Sequence, residues 1–134
     1  MRNNLLYIVS ILLLLTACQK APINGDLDGQ WQIMSVSPEP VEKPIPARLY
    51  YCFNLHTCQL TSYGEGVWTS GNFTFTDNLL TMEFPYIEPT SELGQKKLRQ
   101  FGINTNPVTF TIKHLDKNSL ILQNGETTVT LRKF

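Results

Sequence analysis

From Gly29 to the end of the chain, apolar and polar side chains alternate with a period of two, and Gly, Asn, Asp and Pro interrupt the alternation at short intervals. Successive residues of a strand point to opposite faces, so this pattern requires antiparallel strands with one face buried. It predicts eight strands, over residues 30–37, 48–54, 57–63, 67–76, 79–85, 108–115, 119–124 and 127–133. Thr76-Asp77-Asn78, Asp116-Lys117-Asn118 and Asn124-Gly125-Glu126 carry residues that tolerate left-handed backbone, as tight hairpins need. At least the last three strands therefore form a meander. No internal repeat is evident.

Eight short strands in about a hundred residues fit one domain and have two economical arrangements, a sandwich or a closed barrel; closure alone removes the sheet edges. Charged residues make up only 16% of the chain and hydrophobic ones 42%, as in a folded domain rather than a disordered tail. Eleven Lys+Arg balance eleven Asp+Glu, which leaves no field for gathering phosphates and argues against a nucleic-acid partner. Two connections break the strand rhythm. Residues 37–47 (SPEPVEKPIPA) hold four prolines, which withhold ladder donors and predict a long mobile loop. Residues 90–102 predict a helix: Thr90 or Ser91 caps it, Glu92 lies in the first turn, and Lys96, Lys97 and Arg99 lie toward its end. Gly102 fits a left-handed stop, with Ile103 then reaching Leu98. Gly94 costs this helix about 1 kcal/mol relative to alanine, so it needs packing from Leu93, Leu98 and Phe101 across one end of the sheet structure.

The N-terminus reads as an address. Arg2 precedes an apolar run at 5–15 (LLYIVSILLLL), broken only by Ser10 and too short for the roughly 20 residues of a membrane span. Leu15-Thr16-Ala17-Cys18 resembles the lipobox of bacterial lipoproteins. That resemblance implies cleavage after Ala17, acylation of Cys18 at its thiol and its freed amine, and a membrane anchor of two or three acyl chains; two or more hold a protein persistently. An ordinary secretory signal cut near Ala17 is the alternative. The chain divides accordingly into a signal peptide (1–17), a tether (18–28) and a domain (29–134). Gln19 is not the aspartate that retains lipoproteins in the inner membrane of enteric bacteria, which favours the outer membrane and leaves the leaflet open.

Asp28-Gly29-Gln30-Trp31-Gln32-Ile33 resembles the G-x-W start of lipocalins and of small lipocalin-like lipoproteins of bacterial envelopes, and the final hairpins from Phe110 to Arg132 are similar to theirs. Over residues 28–134 the resemblance implies an all-β fold, an eight-stranded antiparallel up-and-down lipocalin-like barrel, with one short helix near residues 91–101. The chain departs from classical lipocalins in lacking a mid-chain T-D-Y, in placing its helix before the sixth strand, and in ending at the eighth. The resemblance also implies barrel closure by Gly29, Trp31 and Arg132, with the guanidinium packed over the indole. Alternation opposes that pairing, because Val129 and Leu131 take the interior parity and Arg132 the exterior one.

Chemistry-bearing residues are sparse. Cys52 and Cys58 would face each other in a hairpin centred near Leu55, and export to an oxidising space favours a disulfide over two buried thiols. With His56 they offer only three soft ligands, too few for a tetrahedral metal site. His114 shares a parity with Val108, Phe110 and Ile112, and Glu83 and Glu88 read as solvated. No nucleophile-and-base motif is visible, and the sequence points to a non-enzymatic protein without metal or cofactor. Tyr50, Tyr63, Trp68, Phe73, Phe84 and Tyr86 are the candidate ligand-lining aromatics, though such side chains also simply fill small barrels. Two readings follow: a lipid-anchored barrel holding a small apolar ligand, or a filled barrel acting through its outer surface on an envelope protein partner.

Overall fold

The computed structural model describes residues 23–41 and 48–134; the expected signal peptide, Cys18 and the first part of the expected tether, and residues 42–47 of the proline-rich connection, lie outside the described residues. A single 3-10 turn, Gly25–Leu27, leads into β1 (Gly29–Ser37), β2 (Leu49–Asn54), β3 (Thr57–Ser62), β4 (Gly66–Thr76), β5 (Leu79–Glu83), α1 (Glu92–Gln100), β6 (Val108–Leu115), β7 (Ser119–Asn124) and β8 (Thr127–Lys133). Each strand pairs antiparallel with the next and β8 returns to β1, closing the barrel. The alternation read from the sequence is the inside–outside parity of this barrel: Val108, Phe110 and Ile112 of β6 and Val129 and Leu131 of β8 are buried, with Thr109 and Thr111 between the former and Arg132 after the latter turned outward. Among the described residues no helix is long and apolar enough to cross a membrane.

Three register shifts interrupt the parity, between Ile33 and Ser35, Leu60 and Thr61, and Ile112 and His114. The last corrects the expected face of His114. Ile112 pairs with the buried Leu122, whereas His114 pairs with the outward Ile121, so the extra residue moves the imidazole to the exterior.

One end of the barrel is closed by the approach to β1. Leu27 and Trp31 are fully buried, and Trp31 Nε1 donates to the Leu27 carbonyl at 2.8 Å. Trp31 faces Lys133 in the β1–β8 register, and the Lys133 ammonium lies 4.3 Å from the indole centroid. Its Nζ also donates to the carbonyls of Asp26, at 2.9 Å, and of Asp28. Gly29 admits this side chain: a Cβ there would lie 2.9 Å from the Lys133 Nζ. The expected Trp31–Arg132 pairing is thereby corrected. Arg132 pairs with Gln32 on the outer wall and donates to its Oε1 at 3.3 Å, so the cation over Trp31 is the next residue, the one with the interior parity.

The expected disulfide is also corrected: Cys52 and Cys58 are free thiols. Asn54 pairs with Thr57, leaving Leu55 and His56 as a two-residue turn in which Leu55 has φ +57°. Phe53 then opposes Cys58, and Cys52 opposes Gln59. A shift of one residue reverses the face, so Cys58 points into the core while Cys52 lies half-buried on the other side of the sheet. Burial pushes the Cys58 thiol up to about 12.

Candidate functional site at the barrel mouth

The opposite end is built from the long connection between β5 and β6. β5 ends at Glu83, two residues before the sequence predicts, because Phe84 turns into the core. Asn106 pins both ends of this connection to each other, its Oδ1 accepting from Phe84 N and its Nδ2 donating to Phe84 O, each at 2.9 Å. Ser91 caps α1 by accepting from Gly94 N at 3.0 Å. The helix stops as its sequence predicts: Gly102, at φ +79°, donates to Arg99 O at 2.9 Å and Ile103 N donates to Leu98 O at 3.0 Å. This stop lowers Leu98, Phe101 and Ile103 into full burial across the mouth. The Tyr51 hydroxyl, deep in the barrel, donates to the Phe101 carbonyl, and Asn104 Nδ2 donates to Thr127 Oγ1 at 2.7 Å over the β7–β8 turn. Burial holds the Tyr51 phenol well above its usual range, as a neutral donor.

The protein's own side chains fill the interior beneath this plug. Phe53 meets Phe73 edge-on at 5.1 Å, Tyr51 meets Phe53 at 6.2 Å, and Phe101 stacks on Tyr51 at 6.4 Å, all within one contiguous apolar core. The open space lies outside, along α1. A groove of about 510 Å³ is lined by Trp68, Tyr86, Ile87, Glu88, Ser91, Leu93, Gly94 and Lys97. The Trp68 ring stacks nearly parallel on Phe101, 5.8 Å away at 11°, and the Lys97 ammonium lies 4.9 Å from its centroid. Gly94 lets the helix press against the loop before it, since a Cβ would stand 2.8 Å from Ile87 Cγ2. Tyr86 and Leu93 are 80% and 76% exposed on the rim, so Leu93 does not supply the helix packing expected of it. A second groove of about 360 Å³, on the far side of α1, is bordered by Val36, Pro38, Pro40, Lys96, Arg99 and Asn104.

Of the six aromatics nominated from the sequence, Trp68 and Tyr86 share the groove beside α1. Phe73 and Phe84 are core residues, Tyr50 lies outside the central core and meets Phe134 edge-on at 5.2 Å, and Tyr63 is largely exposed beneath the Arg48 guanidinium. Lys97 and Glu88 were missed as groove residues. The signal that pointed there was Gly94, a helical glycine whose local cost is explained by a close approach. His114 lies at the other end of the molecule, 2.7 Å from Asp116. The Asn118 and Ser119 amides and His114 together hold that carboxyl down at about 2, in support of the β6–β7 turn. Among the described residues no group of three or more His, Cys, Asp or Glu is placed to hold a metal ion.

The family model for the lipocalin-like domain matches residues 13–134. A lipocalin-like protein from Bacteroides uniformis ATCC 8492 shares 23% identity, covering 82% of this chain and 100% of its own, with a TM-score of 0.61. An uncharacterized protein from Bacteroides eggerthii DSM 20697 shares 16%, covering 80% of this chain and 98% of its own, with a TM-score of 0.56. These likenesses concern the fold, and no curated protein matches the chain. With the closed eight-stranded barrel in place and the family match running through it to the last residue, the chain belongs to the lipocalin-like domain family.

Proposed function

We propose that this protein is a lipid-anchored lipoprotein of the cell envelope, in the outer membrane, that binds a small ligand with a flat apolar face in the groove beside α1 and catalyses no reaction. The observation that carries the binding reading is the Trp68–Tyr86 groove, whose volume falls within the roughly 300–1,000 Å³ of small-molecule sites. The indole is held in place by the stacked Phe101 ring and by the Lys97 ammonium over it, and Glu88 supplies a carboxylate in the same groove. The barrel interior is the less suitable place, because Tyr51, Phe53, Phe73 and Phe101 already occupy it. The lipobox-like Leu15-Thr16-Ala17-Cys18 supports the anchor.

Native mass spectrometry of the soluble domain without Cys18, purified gently from its own host and followed by organic extraction, tests the binding. The expected result is a stoichiometric small molecule that Trp68→Ala loses while remaining folded. An empty, monodisperse domain would overturn this reading in favour of a second one. That reading is favoured by the exposed pair Tyr86 and Leu93 above a filled core: the same end docks on an envelope protein.

A further inference from the structure

We infer that the closed end of the barrel, at the Leu55 turn, lies against the bilayer, and that α1 and its groove point away from it. The inference rests on the proposed anchor at Cys18. The chain enters the described structure at Ile23, and Asn24 fixes the entry point to the β2–β3 turn by donating from Nδ2 to the Leu55 carbonyl at 2.9 Å. Asp28 holds Asn24 in turn, accepting from its Nδ2 at 2.7 Å and its backbone N at 3.2 Å. The tether therefore leaves the barrel beside Leu55, at the end opposite α1.

Covalent reach then decides the orientation. From Cys18 to Ile23 the chain spans at most about 18 Å when fully extended, at 3.3–3.6 Å per residue. The nine residues of β1 rise about 30 Å along the strand, or roughly 23 Å along the barrel axis at the 35–45° tilt of such strands. To bring the α1 end down to the membrane, the tether would have to run the full height of the barrel from its far end, and it is too short. The end where it emerges stays within reach of the surface.

The residues at that end suit the placement. Leu55 occupies a left-handed turn position that favours Asn or Gly, carries an apolar side chain there, and leaves it 53% exposed. Ile23, just before the residue bonded to Leu55, is 63% exposed. Two apolar side chains at the mouth of an acylated tether form a small contact for the interfacial region of a lipid bilayer. The second contact restrains rotation about the tether, which an acyl anchor alone leaves free.

The test uses the full-length acylated protein and two variants, Leu55→Trp and Tyr86→Trp, on phosphatidylcholine vesicles with and without bromine in the acyl chains. Flotation of the wild-type protein with the vesicles is measured first, and its own tryptophan quenching is subtracted. The expected result is flotation together with bromine quenching of the Leu55→Trp signal at least threefold greater than that of Tyr86→Trp. Flotation with equal quenching, or with stronger quenching of Tyr86→Trp, overturns the orientation while leaving the anchor intact. A wild-type protein that does not float overturns the anchor, and the orientation with it.

Discussion

Replacing Gly102 by alanine separates two effects that a single glycine substitution normally mixes. Gly102 and Gly125 both have positive φ, +79° and +57°, so a Cβ at either forces an L residue into left-handed backbone at a cost of about 1–2 kcal/mol. Their surroundings differ. A Cβ on Gly125 meets nothing within 4 Å, whereas one on Gly102 would stand 2.4 Å from Val129 Cγ2, and Val129 is itself fully buried between the barrel wall and the plug. Relief requires the turn after α1 to lift or the core to shift, and overpacking of this kind costs about 1–3 kcal/mol. The expected totals are about 1–2 kcal/mol for Gly125→Ala and about 2–5 kcal/mol for Gly102→Ala. Urea unfolding of the soluble domain reads the difference: at a slope of about 2 kcal/mol/M, an extra 2 kcal/mol moves the midpoint by roughly 1 M. Equal midpoints for the two variants would refute the claim that Gly102 is required by close packing of the helix stop onto the barrel.

Three further outcomes are expected. Trp31→Ala costs about 3–5 kcal/mol, as for a large core aromatic, and Lys133→Met costs about 1–3 kcal/mol by leaving the Asp26 and Asp28 carbonyls without their donor, whereas Arg132→Met is nearly neutral; thermal melts of the three variants check the order. Thiol counting on the denatured, unreduced domain without Cys18 finds two free cysteines, and a count of zero would restore the disulfide. Because the folded state raises the Cys58 thiol from 9.0 to about 12, the unfolded chain loses that proton first; the stability is fully present below pH 9 and falls as pH rises toward 12. Urea midpoints at pH 8 and pH 10.5 should therefore differ less in Cys58→Ala than in the parent. Cys18→Ala abolishes incorporation of a radioactive fatty acid in cells, and labelling that persists would remove the lipobox reading.

The strands were legible because barrel walls impose period two on every residue, and β6, β7 and β8 begin and end where the alternation does. The helix stop was legible for a local reason: Gly102 and Ile103 carry the geometry within five residues of Leu98. What stayed hidden turns on single-residue choices of parity. The Cys52–Cys58 pairing assumed a turn centred on Leu55, but the turn is shared by Leu55 and His56, with a leucine in a conformation leucines rarely adopt. Exterior parity opposed Arg132 as the cap on Trp31, yet the cap it left open fell to Lys133, whose carbonyl partners Asp26 and Asp28 lie in and just after the 3-10 turn, outside the strands that the alternation marks. The bulge before His114 leaves no mark in composition. Trp68, Tyr86 and Lys97 line one groove beside Phe101, whose carbonyl accepts from the Tyr51 hydroxyl, a contact across fifty positions that no local pattern encodes.

The seam between β1 and β8 governs when this chain can fold. Half of the β1 ladder, and the ammonium that seats Trp31, come from Thr127–Lys133, the last strand to be synthesised. Until those residues arrive, β1 offers an open edge and its tryptophan has no lid, so the barrel cannot form progressively from the N-terminus. Contacts so distant in sequence make for slow folding. Under the export proposed above, the barrel would stay threadable until β8 has crossed, and loss of β8 would leave an unclosed sheet rather than a slightly smaller barrel.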